Sequence, residues 1–154
     1  MPLGTDKDTV SPTPGVGEVG QYPEIVLPAG CGQADGGTDG YTGNSCQLVT
    51  TGWCSVSCLK RFTDGDVEWA ARLSQICYLE SGGDPEAGPN KGCLSGASQE
   101  YSLGLFQVNI IDRCSGGILN EWKTQRRCTI INDSEFQSCV VRYENPIENI
   151  NKAI

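Results

Sequence analysis

Between Asp64 and Glu80 apolar and polar positions recur with the period of a helix. Glu68, Arg72 and Gln75 share one narrow polar stripe, whereas Val67, Trp69, Ala70, Ala71, Leu73, Ile76, Cys77 and Tyr78 cover most of the remaining circumference. That distribution predicts a helix buried on most sides. Thr63-Asp64-Gly65-Asp66 supplies capping oxygens and an acidic first turn before it. Gly82-Gly83-Asp84-Pro85 stops it, because glycine accepts the left-handed cap and proline disfavours helix at the residue before it. At 100° per residue Glu80 falls in line with Trp69, Leu73 and Ile76. A carboxylate therefore stands on a face where the pattern expects core.

The rest of the chain is less regular. Leu103 to Ile111 is an apolar run that periodicity alone leaves open between helix and strand. Before it, Glu86 to Tyr101 is rich in Gly, Ser and Asn and reads as a loop or a small irregular sheet. Asn132-Asp133-Ser134-Glu135 is a capping sequence ahead of a helix over Phe136 to Arg142. Asn145 caps a last helix whose first turn takes Pro146. Residues 1–28 are rich in Pro, Gly and Thr with no sustained period and read as a tail or linker. Residues 29–60 form a Cys- and Gly-rich N-terminal extension, and residues 61–154 carry the helical patterns.

Nine cysteines in 154 residues, with no histidine, change the picture. Mixed Cys/His metal sites are excluded, and the scattered spacing lacks the paired CxxC knuckles of an all-thiolate site. Disulfides follow, and with them an oxidising compartment: extracellular, periplasmic or at the cell surface. The odd count leaves one thiol over, and the pairing stays open. Cys54 and Cys58 have the spacing of neighbours on one helical face, so they either bond each other or brace a short helix against the domain. Met1 to Gly20 has neither the basic start nor the apolar stretch of a signal peptide, so export implies a signal or membrane anchor lying outside these residues. A net charge of −8 argues against nucleic acid as a partner.

Two stretches then stand out. Glu80-Ser81-Gly82-Gly83-Asp84-Pro85-Glu86-Ala87, followed by Tyr101-Ser102-Leu103-Gly104-Leu105-Phe106-Gln107-Val108-Asn109, resembles the signature of soluble lytic transglycosylases and their goose-type lysozyme relatives. Asn145-Pro146 with Glu148-Asn149-Ile150 is similar to a third block of that family, in the same order. The resemblance covers about residues 64 to 154.

It implies a mainly α, α+β lysozyme-like fold with a small irregular β/loop region, to which the Cys- and Gly-rich residues 29–60 add a disulfide-bonded N-terminal extension. It further implies cleavage of the β-1,4 bond between MurNAc and GlcNAc in peptidoglycan glycan strands. Glu80 would protonate the leaving sugar's oxygen, which needs a carboxyl that keeps its proton in an apolar setting. Asp84, Glu86, Glu100, Asp112 and Glu121 are the candidates for a second carboxylate. None matches the family, and the resemblance gives the second task to the substrate's own N-acetyl group and C6 hydroxyl, yielding 1,6-anhydro-MurNAc ends with Glu80 as base. Ser102, Gln107 and Asn109 would line the groove, with Tyr101 a candidate for stacking on a sugar. Ser81 would hold the helix end beside Glu80 and contribute to substrate binding. Gly104 would permit a close approach of sugar or backbone. No metal or organic cofactor is implied. The alternatives are a hydrolytic lysozyme of the same fold and a non-catalytic peptidoglycan-binding module. The family's domain continues beyond the third block through a helix bearing an active-site tyrosine, so the resemblance implies a domain cut short at its C-terminus.

Overall fold

The computed structural model describes Cys31 and residues 51–154. The tail over 1–28, most of the extension over 29–60 and Cys46 lie outside the described residues. Six helices and four short strands make up the described part, in an α+β arrangement.

Helix α1 (Val56–Leu59) is a single turn capped by Ser55, whose hydroxyl accepts from Cys58 N–H. Helix α2 (Val67–Ser81) starts at Asp66, whose carboxylate accepts from Trp69 N–H at 2.9 Å, and ends at Gly82 in the left-handed region, φ 67°. Both ends are where the capping residues put them. A short helix α3 (Gly92–Ser95) leads into the hairpin of β1 (Ser102–Leu103) and β2 (Val108–Asn109), with Leu103 opposite Val108. A bridge from Asn90 to Ser102 adds a partner on the other side of β1. The apolar run that periodicity left open is therefore two strands and the turn between them.

Strand β3 (Ile118–Asn120) pairs with β4 (Cys128–Ile130) in a second antiparallel hairpin, and the single turn α4 (Trp122–Gln125) fills its loop. Helix α5 (Asp133–Glu144) is capped by Asn132 and runs longer at both ends than the apolar pattern predicts. Helix α6 (Pro146–Ala153) is capped by Asn145, which accepts from Ile147 and Glu148 N–H, with Pro146 in its first turn. Proline loses nothing there, since that N–H has no partner within the helix.

One core unites these elements. Trp53, Leu59, Leu73, Leu103, Leu105, Ile110, Phe136 and Ile150 belong to it, so residues just before α1 share it with the hairpin and the last helices. Four disulfides reinforce it: Cys31–Cys58, Cys54–Cys77, Cys93–Cys128 and Cys114–Cys139. Cys54 and Cys58 do not bond each other; each braces α1 to a different segment. Four such bridges fit an oxidising compartment. Among the described residues no helix is long and apolar enough to cross a membrane.

The orientation of α2 departs from the reading of its pattern. The face buried in the core is Ala70, Leu73, Ser74 and Cys77, together with Ala71. Trp69 and Ile76 remain 37% and 42% exposed. Small side chains and the Cys54–Cys77 bridge let neighbouring segments come close on one side, which turns the larger Trp69 and Ile76 to the flank of that contact.

Candidate functional site

Along that flank, α2, the β1–β2 hairpin and the end of α6 enclose an open groove of about 310 Å³. Trp69, Leu73 and Ile76 form its α2 wall, Phe106, Val108 and Asn109 the hairpin wall, and Arg113, Lys152 and Ala153 complete it. Glu80 lies on the same stripe of α2, one helical turn beyond Ile76, which is about 6 Å along the axis. Its side chain is exposed. The expectation of a carboxyl kept dry by the core is therefore corrected: Glu80 is exposed, and of the stripe that carries it only Leu73 is buried in the core.

The backbone around Glu80 is firmly set. Ser81 is half-buried; its hydroxyl donates to Cys77 C=O at 3.1 Å and accepts from Gly83 N–H at 3.1 Å. It thus closes the last turn of α2 and holds the Gly82-Gly83 exit. Asp84 continues the same turn by accepting from Glu86 N–H at 2.8 Å. This sequence of local bonds fixes where Glu80 leaves the helix.

The hairpin side is built around a buried amide. Asn149, in α6, is fully buried. It accepts from Phe106 N–H at 2.9 Å and donates to Leu103 C=O at 2.9 Å and Tyr143 C=O at 2.8 Å. The third sequence block is thereby fastened to the second. Gly104, at φ 69°, is the residue that lets this happen: a Cβ there would sit 2.6 Å from Asn149 Nδ2. The close approach it permits is made by this amide and the Tyr143 carbonyl. Leu105 C=O in turn lies 3.5 Å from Cys77 Sγ, seating the hairpin on α2.

The other expected groove residues take varied places. Asn109 lines the groove and is exposed, yet its amide already accepts from Ile111 N–H and donates to Gln99 C=O at 2.9 Å. Gln107 holds a left-handed backbone, φ 44°, and its Nε2 donates to Gly104 C=O at 3.1 Å, so the amide nitrogen secures its own turn. Ser102 is buried at the centre of the strands that pair Asn90, β1 and β2. Tyr101 is 5% exposed and meets Phe136 edge to face, with ring centroids 5.2 Å apart. That geometry places its ring in the core.

Of the candidate second carboxylates, Glu100 accepts from Asn90 Nδ2, and Glu121 from Gln125 and Thr129. Glu86 is different, because it faces Glu144. Partial burial of the Glu144 carboxyl and then the charge of Glu86 raise its pKa above the ordinary value. Burial and the Glu144 charge likewise raise the Tyr101 phenol. Sequence reasoning passed over Glu144. Its signal was an acid in the last turn of a helix, where the dipole favours a cation. Among the described residues no group of three or more metal-ligating side chains is gathered.

No protein-family model, no curated protein and no solved structure matches this chain.

Proposed function

We propose that this chain cleaves the glycan strands of peptidoglycan as a lytic transglycosylase with a lysozyme-like fold. The observation that supports the reading is the position of Glu80 in the last turn of α2, beside the bonds made by Ser81 and one turn beyond Ile76, which lines a groove of about 310 Å³. The Glu80 carboxyl donates its proton to the glycosidic oxygen as the C1–O bond breaks, while the substrate's N-acetyl oxygen bonds to C1. The substrate's C6 hydroxyl then displaces that oxygen and returns its proton to Glu80, leaving a 1,6-anhydro ring.

Digestion of purified peptidoglycan by the wild type and Glu80→Gln, with mass analysis of the soluble products, tests this. Anhydro muropeptides from the wild type and none from Glu80→Gln are expected. Products heavier by one water would identify a hydrolase instead. The exposure of Glu80 favours a second reading, a wall-binding module without turnover. Under it, wild-type protein sediments with peptidoglycan and releases nothing.

A further inference from the structure

The β3–β4 hairpin turns one face to the core and the other outward. Ile118 and Cys128 are buried on the first. Side chains alternate along a strand, so the pairing of Leu119 with Thr129 puts both of them, and Ile131 beyond, on the second. The ladder runs on through Glu121 N–H to Arg127 C=O at 2.9 Å, which adds Glu121 and Arg127 to that outer face. Leu119 is 47% exposed there, and Trp122, the first residue of α4, is half-exposed at the tip.

The tip is basic in an acidic chain. Acidic side chains outnumber basic ones by 19 to 11, yet Lys123, Arg126 and Arg127 fall close together in the chain and all are exposed. None of them forms an ion pair among the described residues. The acid of the tip, Glu121, accepts from Gln125 and Thr129, and Arg127 Nε donates to Gln125. Helix α3 lies against the tip: Cys93–Cys128 ties it to β4, and a Cβ on Gly96 would sit 2.9 Å from the Arg126 carbonyl oxygen. It brings exposed Lys91 and Leu94, with Glu100 bonded to Asn90 next to the lysine. Asp133 and Glu135 follow Ile131 at the other end of the hairpin. About 13 Å of strand separates that end from the tip, more than the roughly 8 Å over which salt screens a charge.

Unpaired cations beside exposed apolar side chains call for a partner with both characters. A soluble polyanion would pair with the cations and leave Leu119 and Trp122 in water. A bilayer with anionic headgroups meets both, since its phosphates lie just outside an apolar boundary. We propose that the β3–β4 tip, with α3 beside it, docks on an anionic lipid bilayer. Lys123, Arg126 and Arg127 take headgroup phosphates, and Leu119 and Trp122 enter the boundary beneath them. The net negative charge of the chain makes the contact one-sided, because only this face comes within a screening length of the lipid. The inference stands apart from the glycan-cleaving reading and holds whether or not that reading does.

Sedimentation of the full chain with lipid vesicles tests this. One set is neutral phosphatidylcholine, the other an equal mixture of phosphatidylcholine and phosphatidylglycerol. Binding to the anionic set alone is expected. Lys123→Gln, Arg126→Gln and Arg127→Gln together should weaken it about hundredfold, the scale of three cations at an anionic surface. Leu119→Ser should weaken it about fivefold through lost apolar contact. Removing three cations elsewhere, at Lys60, Arg72 and Arg142, should change it by less than about twofold. Unchanged melting temperatures control for folding, and the three single substitutions at the tip replace the triple one if it melts early. No binding to the anionic vesicles, equal binding to the neutral ones, or equal loss from the cations elsewhere overturns the inference. Indifference to Leu119→Ser, or equally tight binding of a short DNA duplex, identifies a general polyanion site and overturns the bilayer as its partner.

Discussion

The side-chain oxygen of Asn149 accepts a hydrogen bond from Phe106 N–H at 2.9 Å, joining residues 43 positions apart in the chain. The same amide donates to Leu103 and Tyr143 carbonyls in a site that water does not reach. Replacing Asn149 by Ala removes these three bonds to backbone groups from a buried site, where a stranded group costs about 1–3 kcal/mol. A loss of about 3 kcal/mol in urea unfolding is expected, and a loss under about 1 kcal/mol would show that the clamp contributes little.

Gly104→Ala strikes the same joint from the other side. A Cβ at φ 69° is strained and would sit 2.6 Å from Asn149 Nδ2. The expected cost is about 2–4 kcal/mol. In an Asn149→Ala background much of the clash is gone, so a double-mutant cycle should show the second substitution costing less than it does alone. Strict additivity would mean that the two side chains do not meet.

The bridge between Cys54 and Cys77 spans 23 residues and ties the segment just before α1 to the C-terminal part of α2. A cross-link of that span stabilises by about 3 kcal/mol through the unfolded chain. The double replacement of both by Ser should lower stability by about that amount, read as a fall in denaturation midpoint, with a steeper slope because the unfolded chain without the cross-link is more expanded.

Glu144 gives a pH dependence of definite sign. Its carboxyl is raised above the ordinary value of 4.5 by burial and by Glu86, so folding favours the protonated form. The corresponding stability is present below the unfolded pKa and is lost as pH rises through the raised native one. Glu144→Gln escapes that loss. The variant should therefore be more stable than wild type near neutral pH and match it in acid, as followed by melting temperature across that range.

The features that the sequence made legible are the local ones. Asp66, Asn132 and Asn145 cap helices because their acceptors reach N–H groups two or three residues on, and Gly82 closes α2 because glycine takes a left-handed backbone freely. Features set by distant contacts were not legible. The turn between β1 and β2 carries Gly104 but also depends on a left-handed Gln107 and on the distant Asn149, which the local pattern does not signal. Strands β3 and β4 are three residues each, too short for alternation to show. The face of α2 was misjudged because its core contacts are made by Ala70, Ser74 and Cys77, which a count of bulky residues undervalues. Of the expected site, Asn109 does line the groove, while Tyr101 is committed to the core by Phe136, a partner that chain position does not disclose.

The pairing of the cysteines has a topological outcome. The loops closed by Cys31–Cys58 and Cys54–Cys77 interlace, as do those closed by Cys93–Cys128 and Cys114–Cys139, but no described bridge passes from one set to the other. A single protease nick between Gly82 and Gly92 would split the described part into two pieces on a non-reducing gel, whereas a nick at Arg126 would leave it whole until thiol is added. Glu80 belongs to the first stapled unit, and Asn109, Arg113 and Lys152 to the second. Among the described residues no disulfide joins the two walls of the groove, so their spacing is held by packing and one peptide strand, and a change in it would strain no sulfur bridge.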